Sequence, residues 1–338
     1  MKKNRTIRIL SMGLALSMVV PSPQLFNLRN YKESYKKATL SSIIDNFGMN
    51  KVYADIVIPP EEIPDDLNQL VWKVEDFYIV PKSEPYHFFD TGEPGEAKVR
   101  GAELRGFSDR GKAKLAKIRE KFGQNVSYPL VFPTFLDANI NPTVIRPENN
   151  NEYAFGYVSL VDFSNLNQLQ YIAGNAFSGD NYVSTYEEST INNSMQVREG
   201  LEVRGLDNHP NLIKIFSKAF NRLNPKKTFS IQNVKTLKKI EKNFITSFAR
   251  QPGDSYDHRK PLEKFILKDL PNAVIDGIMW NGMTMSETAE AKYVEINNVK
   301  DFHVGNVENF RKSNFFARID KLIIKKYRIL KLLIISLS

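Results

Sequence analysis

The chain has 338 residues, of which 42% are hydrophobic and 25% charged, with 17 Gly and 17 Pro. That balance excludes collagen, coiled coil and wholesale disorder, and at roughly 150 residues per domain it suggests about two domains, each able to bury a core unaided. Cys is absent, which removes disulfide frameworks, Cys-ligated zinc and cysteine nucleophiles. The net charge of +9 is unevenly placed: residues 211–338 hold 24 Lys/Arg against 12 Asp/Glu, and the remainder 23 against 26. A basic half attracts polyanions by counterion release, and a solvated lysine-rich surface is its plain alternative.

Lys2, Lys3, Arg5 and Arg8 precede an apolar run from Ile9 to Val20. This is the anatomy of an export signal, residues 1–25, and the run is too short to span a bilayer as a helix. Residues 26–69 are expected to form an amphipathic stretch and an extended Pro-rich acidic linker, Ile58 to Asp66. A β-rich α+β domain of open role is placed at 70–208, with a strand at Phe77–Val80, a turn at Gly92–Gly95 and a surface helix over 108–122, where Leu115, Ile118 and Phe122 recur at helical spacing. From Phe122 to Gln196 the chain is rich in Asn, Ser, Tyr and Phe with Arg146 as its one basic residue, and short β-type runs such as Tyr153–Asp162 and Leu166–Ala173 alternate with turns. No internal repeat recurs at a fixed period. Helical periodicity is expected from His209, through Leu212, Ile213, Phe216 and Phe220, and again over Val234–Phe248.

A basic domain is placed at 209–338, with its core at 259–338. Pro261 suits the first turn of a helix carrying Leu262, Phe265, Ile266 and Leu270, with Glu263 beside that face. Ala273–Ile275 reads as a strand delivering Asp276, and Asn281-Gly282 as a hairpin turn. In the next strand Glu290 and Lys292 share one face, about 7 Å apart. Carboxylates on adjacent strands with a lysine alongside suit a hard divalent cation and an activated water.

At "LEKFILKDLPNAVIDGI" and "AEAKYVEI" the sequence resembles the PD-(D/E)XK nuclease superfamily, in particular the C-terminal toxin domains of bacterial polymorphic toxins. The resemblance covers about 80 residues. It implies a mixed α/β restriction-endonuclease-like core of order αβββαβ and a catalytic set of Glu263, Asp276, Glu290 and Lys292. It further implies Mg²⁺ or Mn²⁺ on Asp276 and Glu290, and hydrolysis of DNA, or of RNA. Residues 306–328 would supply its second helix, with Arg311, Lys312 and Arg318, followed by Lys321, Lys325, Lys326 and Arg328, facing nucleic acid. Residues 329–337 would form its last strand. A small acidic immunity protein is the partner such a toxin needs, and no stable membrane span is expected. His303 lies near the expected site without an assigned role.

Two further readings stay open. Tyr182-Val183-Ser184-Thr185 resembles the strand motif of ADP-ribosylating toxins, with Glu295 as the candidate glutamate. A non-enzymatic exported binding or surface protein, docking an anionic polymer with its basic end, needs no metal.

Overall fold

In the computed structural model the chain divides into two units, residues 1–54 and 55–338. The structure describes residues 56–87, 98–149, 152–179, 200–224, 226–246, 262–276, 290–302 and 318–325. The expected export signal, the turn at 92–95, Tyr182–Thr185, Asn281-Gly282, His303, Arg311, Lys312 and the terminal strand lie outside them. The second unit is mixed α/β, with a large, mostly parallel sheet and few helices.

Its organising element is a block repeated with variable spacing. Phe163, Leu206, Ile231, Leu267 and Ile296 open the blocks, which start 43, 25, 36 and 29 residues apart. Three positions on stand Leu166, His209, Val234, Leu270 and Val299. Further along, Leu169, Leu212 and Leu237 precede Ile172, Ile215 and Ile240, and all of these are buried. The last four of the five blocks turn the same corner with a short polar side chain, and Asn208, Asn233, Asp269 and Asn298 there have φ of 58°, 57°, 53° and 53°. Asn and Asp enter the left-handed region at lower cost than other non-Gly residues. A second left-handed corner recurs at Asn175, Lys218 and Asn243, with φ of 54°, 60° and 61°.

The blocks stack as coils of a parallel solenoid, in which each coil can bury its apolar face only against its neighbours. One ladder contains β4 (Pro142–Ile145), β6 (Tyr171–Ile172), β9 (Lys214–Ile215), β12 (Lys239–Ile240) and the end of β13 (Leu262–Ile275). Ile145, Ile172, Ile215, Ile240, Ile275 and Phe302 lie in one register row. A second ladder begins with β3 (Tyr128–Val131), β5 (Val158–Asp162) and β8 (Glu202–Arg204). It resumes with β11 (Thr228–Gln232), β13, β14 (Glu290–Phe302) and β15 (Arg318–Lys325), all parallel. A third line stacks Phe155 on Phe177 and Phe177 on Phe220, with centroids 5.6 and 5.9 Å apart and rings inclined by 14° in both pairs. There β7 (Phe177–Ser178) pairs with β10 (Phe220–Asn221).

The second ladder is interrupted between β8 and β11. β8 pairs with β5, β11 pairs with β13, and the two stretches belong to separate sheets. Gly205, at φ 77°, lies on this side, where a Cβ would come within 2.4 Å of the Ser164 nitrogen. Asp207 closes one end of the seam. Its carboxylate accepts from the Ser230 hydroxyl at 2.9 Å and from the Gln232 main-chain N–H at 2.9 Å, while the Asn208 N–H donates to the Gln232 carbonyl at 2.8 Å.

The first coil is covered by an antiparallel pair, β1 (Phe77–His87) and β2 (Lys98–Phe107), and by α1 (Asp109–Phe122). Ser108 caps α1, accepting from the Gly111 N–H at 3.1 Å, and Gly123 ends it at φ 103°. The run Ile58–Asp66 is not a free linker. Ile58 and Ile63 are buried, and Glu62 meets Lys73, Arg110 and Lys114 at 2.8, 2.6 and 3.1 Å. Burial alone would raise the Glu62 pKa, but those hydrogen bonds outweigh it and hold the carboxyl down at about 2. Asp76 and Lys114, both fully buried, pair at 3.3 Å.

The structure corrects several expectations. The strand at 77–80, the helix at 108–122 and the β-character of 122–178 agree with the observed elements. Where helices are expected over 209–248 and 261–270, the described residues 209–224, 226–246 and 262–270 form strands and corners, because their three- and four-residue apolar spacing reflects corners of coils. Residues 318–325 of the expected second helix form β15. The boundary expected at 208/209 falls inside the continuous sheet, where β6 pairs with β9.

Candidate binding face

The expected catalytic residues are distributed along β13 and β14. Glu263 and Lys292 meet, with Lys292 Nζ 2.6 Å from Glu263 Oε2 and both side chains about half exposed. Asp276 follows the far end of β13. Its N–H donates to the Ile240 carbonyl at 2.9 Å, and its carboxylate lies 3.3 Å from Lys239 Nζ. Glu290 opens β14, where its Cα aligns with Arg318 and where the following Ala291 aligns with Leu262. At the other end Phe302 aligns with Ile275.

The backbone therefore does not bring Asp276 and Glu290 together. An antiparallel hairpin through Asn281-Gly282 would have set them side by side, whereas β13 and β14 are parallel and their registered ends match start to start. Among the described residues no group of three or more His, Asp or Glu is arranged to hold a metal ion. Arg318 begins a strand, and no helix of the described residues is long and apolar enough to cross a membrane.

What the register does assemble is a polar face. In β13, Phe265 and Leu267 point into the core with no exposure, so Lys264, Ile266 and Lys268 point outward by strand alternation. In β14, Val294 and Ile296 are buried and Tyr293, Glu295 and Asn297 face out. The matching positions in β15 are Lys321, Ile323 and Lys325, and in β11 they are Thr228, Ser230 and Gln232.

Three rows thus cross the strands. The first is Thr228, Lys264, Tyr293 and Lys321, the second Ser230, Ile266, Glu295 and Ile323, and the third Gln232, Lys268, Asn297 and Lys325. With about 4.8 Å between strands and 3.3 Å per residue, the four lysines mark a quadrilateral of about 10 by 13 Å at their Cα atoms.

No protein family, curated protein or solved structure matches the chain. The face must therefore be read from its own chemistry. Lys264, Lys321 and Lys325 are exposed, and Lys268 is 3.9 Å from Glu295. Lys321 Nζ lies 5.6 Å from the Tyr293 ring centroid. The Tyr293 hydroxyl donates to Glu295 Oε2 at 2.8 Å, which raises the phenol pKa because ionisation would set two anions together. Glu295 is thereby tied down by Tyr293, Asn297 and Lys268 within the middle row.

The significance of Lys264 and Lys268 was not recognised from the sequence, while Lys321 and Lys325 were expected on a helix. The signal available was the alternation in Lys264-Phe265-Ile266-Leu267-Lys268 and again in Tyr293–Asn297.

A cavity of about 430 Å³ opens beside this face at the β8/β11 seam, lined in part by Glu202, Arg204, Asp207, Lys227 and Ser230. Its charges are internally matched, with Glu202 2.6 Å from Arg204 and 3.2 Å from Lys227.

Proposed function

We propose that the chain is a repeat-built binding protein that docks an anionic polymer on the outward face of β11, β13, β14 and β15. The observation that carries this reading is the register that sets Lys264 beside Tyr293 beside Lys321, and Lys268 beside Asn297 beside Lys325. Stacked parallel strands supply a rigid platform, and solenoids use such extended faces for recognition. Four lysines whose Cα atoms the register holds at fixed spacing attract a polyanion by releasing its counterions. The surplus of basic residues in 211–338 acts in the same direction.

Metal-assisted phosphodiester hydrolysis by Glu263, Asp276, Glu290 and Lys292 needs Asp276 next to Glu290, and the parallel crossover supports the binding reading instead. The test is retention of the full chain on immobilised polyanions at rising salt. The wild type is expected to be retained, and the variant with Lys264, Lys268, Lys321 and Lys325 all changed to Glu is expected to elute with the neutral-matrix control. Equal retention of the two proteins would overturn the proposal. A parallel incubation with plasmid and Mg²⁺ or Mn²⁺ should show no chelator-sensitive nicking. Nicking that disappears in Lys292→Ala would favour the hydrolase.

A further inference from the structure

Resting on the binding face just described, we infer that its polymer is an acidic polysaccharide in which charged sugars alternate with neutral ones. The polymer would lie across the strands from β11 to β15. The argument comes from the order of groups within the rows. The first row reads hydroxyl, ammonium, phenol, ammonium, and the third reads amide, ammonium, amide, ammonium. Each cation is therefore preceded, one strand back, by a neutral group able to hydrogen-bond, and the cations recur every second strand, about 10 Å.

A chain that alternates carboxylate-bearing and hydroxyl-bearing units meets such a row with opposite charge at one step and hydrogen bonds at the next. A nucleic acid carries a charge on every unit of its backbone, one phosphate per strand for about every 3.4 Å of duplex axis. All four corners are Lys, a hydrated point charge that takes a carboxylate or a phosphate alike, so the order of groups in the rows makes the choice. Single-stranded nucleic acid also needs open aromatic platforms. The aromatic ring of these rows belongs to Tyr293, which has Lys321 against it, while its hydroxyl donates to Glu295 and keeps its acceptor lone pairs for a sugar hydroxyl. Across the middle row, Ile266 and Ile323 flank Glu295 and give the apolar faces of sugar rings something to lie on.

The test uses the full chain and fluorescent hyaluronan decasaccharide, which alternates carboxylated and neutral sugars. Its competitors are polygalacturonate, charged at every sugar, together with oligo-dT, duplex DNA and neutral dextran. The expected result is hyaluronan binding at least tenfold tighter than oligo-dT or duplex DNA at equal salt. Changing Lys264 and Lys321 together to Gln should weaken it tenfold or more and flatten its salt dependence. Tyr293→Phe with Asn297→Ala should weaken hyaluronan threefold or more while leaving polygalacturonate unchanged, which an electrostatic face without alternation would not do. Equal or tighter binding of DNA, still lost on changing the lysines, would overturn the polysaccharide and leave the face standing. Failure of every polyanion to bind would overturn the face itself. Hyaluronan binding indifferent to the lysines would overturn both.

Discussion

Lys114 is the single side chain whose removal should cost this unit most. Its ammonium is fully buried, donates to the Val71 carbonyl at 2.7 Å, and lies 3.3 Å from Asp76 and 3.1 Å from Glu62. Lys114→Met keeps most of the volume and removes the charge, leaving the buried Asp76 carboxylate with Arg110 as its remaining cation. Breaking one partner of a buried pair costs about 3–5 kcal/mol, because the other charge is stranded. Urea unfolding at neutral pH should show a loss of that size.

Acid unfolding gives a second measure. The folded Glu62 pKa is depressed to about 2 from the ordinary 4.5, so its contribution is present above pH 4.5 and is lost as the pH falls from there towards 2. That contribution is about 3 kcal/mol, and without Lys114 its acid dependence should shrink. Adding Asp76→Leu to Lys114→Met should recover only part of the loss, since it removes the stranded carboxylate but also takes a partner from Arg110 and from the Lys73 N–H. A loss below about 1 kcal/mol with an unchanged acid profile would refute the role given to this cluster.

Three other outcomes follow from the coils. His209 occupies a position held by Leu or Val in the other blocks. Its Nε2 donates to the Leu166 carbonyl at 3.0 Å, while Nδ1 accepts from the Leu212 N–H at 3.1 Å. Burial depresses its pKa, so its stability contribution is complete above the ordinary value of 6.5 and declines as the pH falls through the lower folded value. Denaturation at stepped pH should show that decline in the wild type and not in His209→Leu. Phe177→Ala should cost about 3–5 kcal/mol by calorimetric or urea unfolding, the range for emptying a buried aromatic site. Asp207→Ala should cost about 1–2 kcal/mol for the hydrogen bonds it removes, with hydrogen exchange accelerating first at the Gln232 amide.

The sequence disclosed the first third of the described unit better than the rest. Leu115, Ile118 and Phe122 repeat on one face of a real helix, and Ser108 and Gly123 punctuate it as capping chemistry requires. In the coils, the same three-residue spacing of Leu206, His209 and Leu212 has a different cause: each apolar residue lies at a strand or corner that turns inward. Periodicity alone cannot separate a corner from a helical turn. The block escaped recognition because its spacing varies from 25 to 43 residues, although the Asn or Asp two positions after its first residue was visible throughout.

The candidate site failed to emerge for a topological reason. Asn281-Gly282 reads locally as a hairpin, and that reading would pair residues 276 and 290. The parallel ladder instead depends on Phe265 meeting Val294 and Leu267 meeting Ile296, contacts that no local motif encodes. Lys292 and Glu263 do come together, but as a half-exposed pair at the start of two parallel strands.

The unequal distances between blocks have a consequence for how this chain can change. Since hydrogen bonds and buried rows are fixed by the block itself, the peptide joining one block to the next behaves as a spacer whose length is nearly free, each doubling costing about 0.6 kcal/mol. Residues added between two blocks would leave the row from Ile145 to Phe302 in register. Such a molecule can diversify what it touches by editing its joints while its spine stays the same.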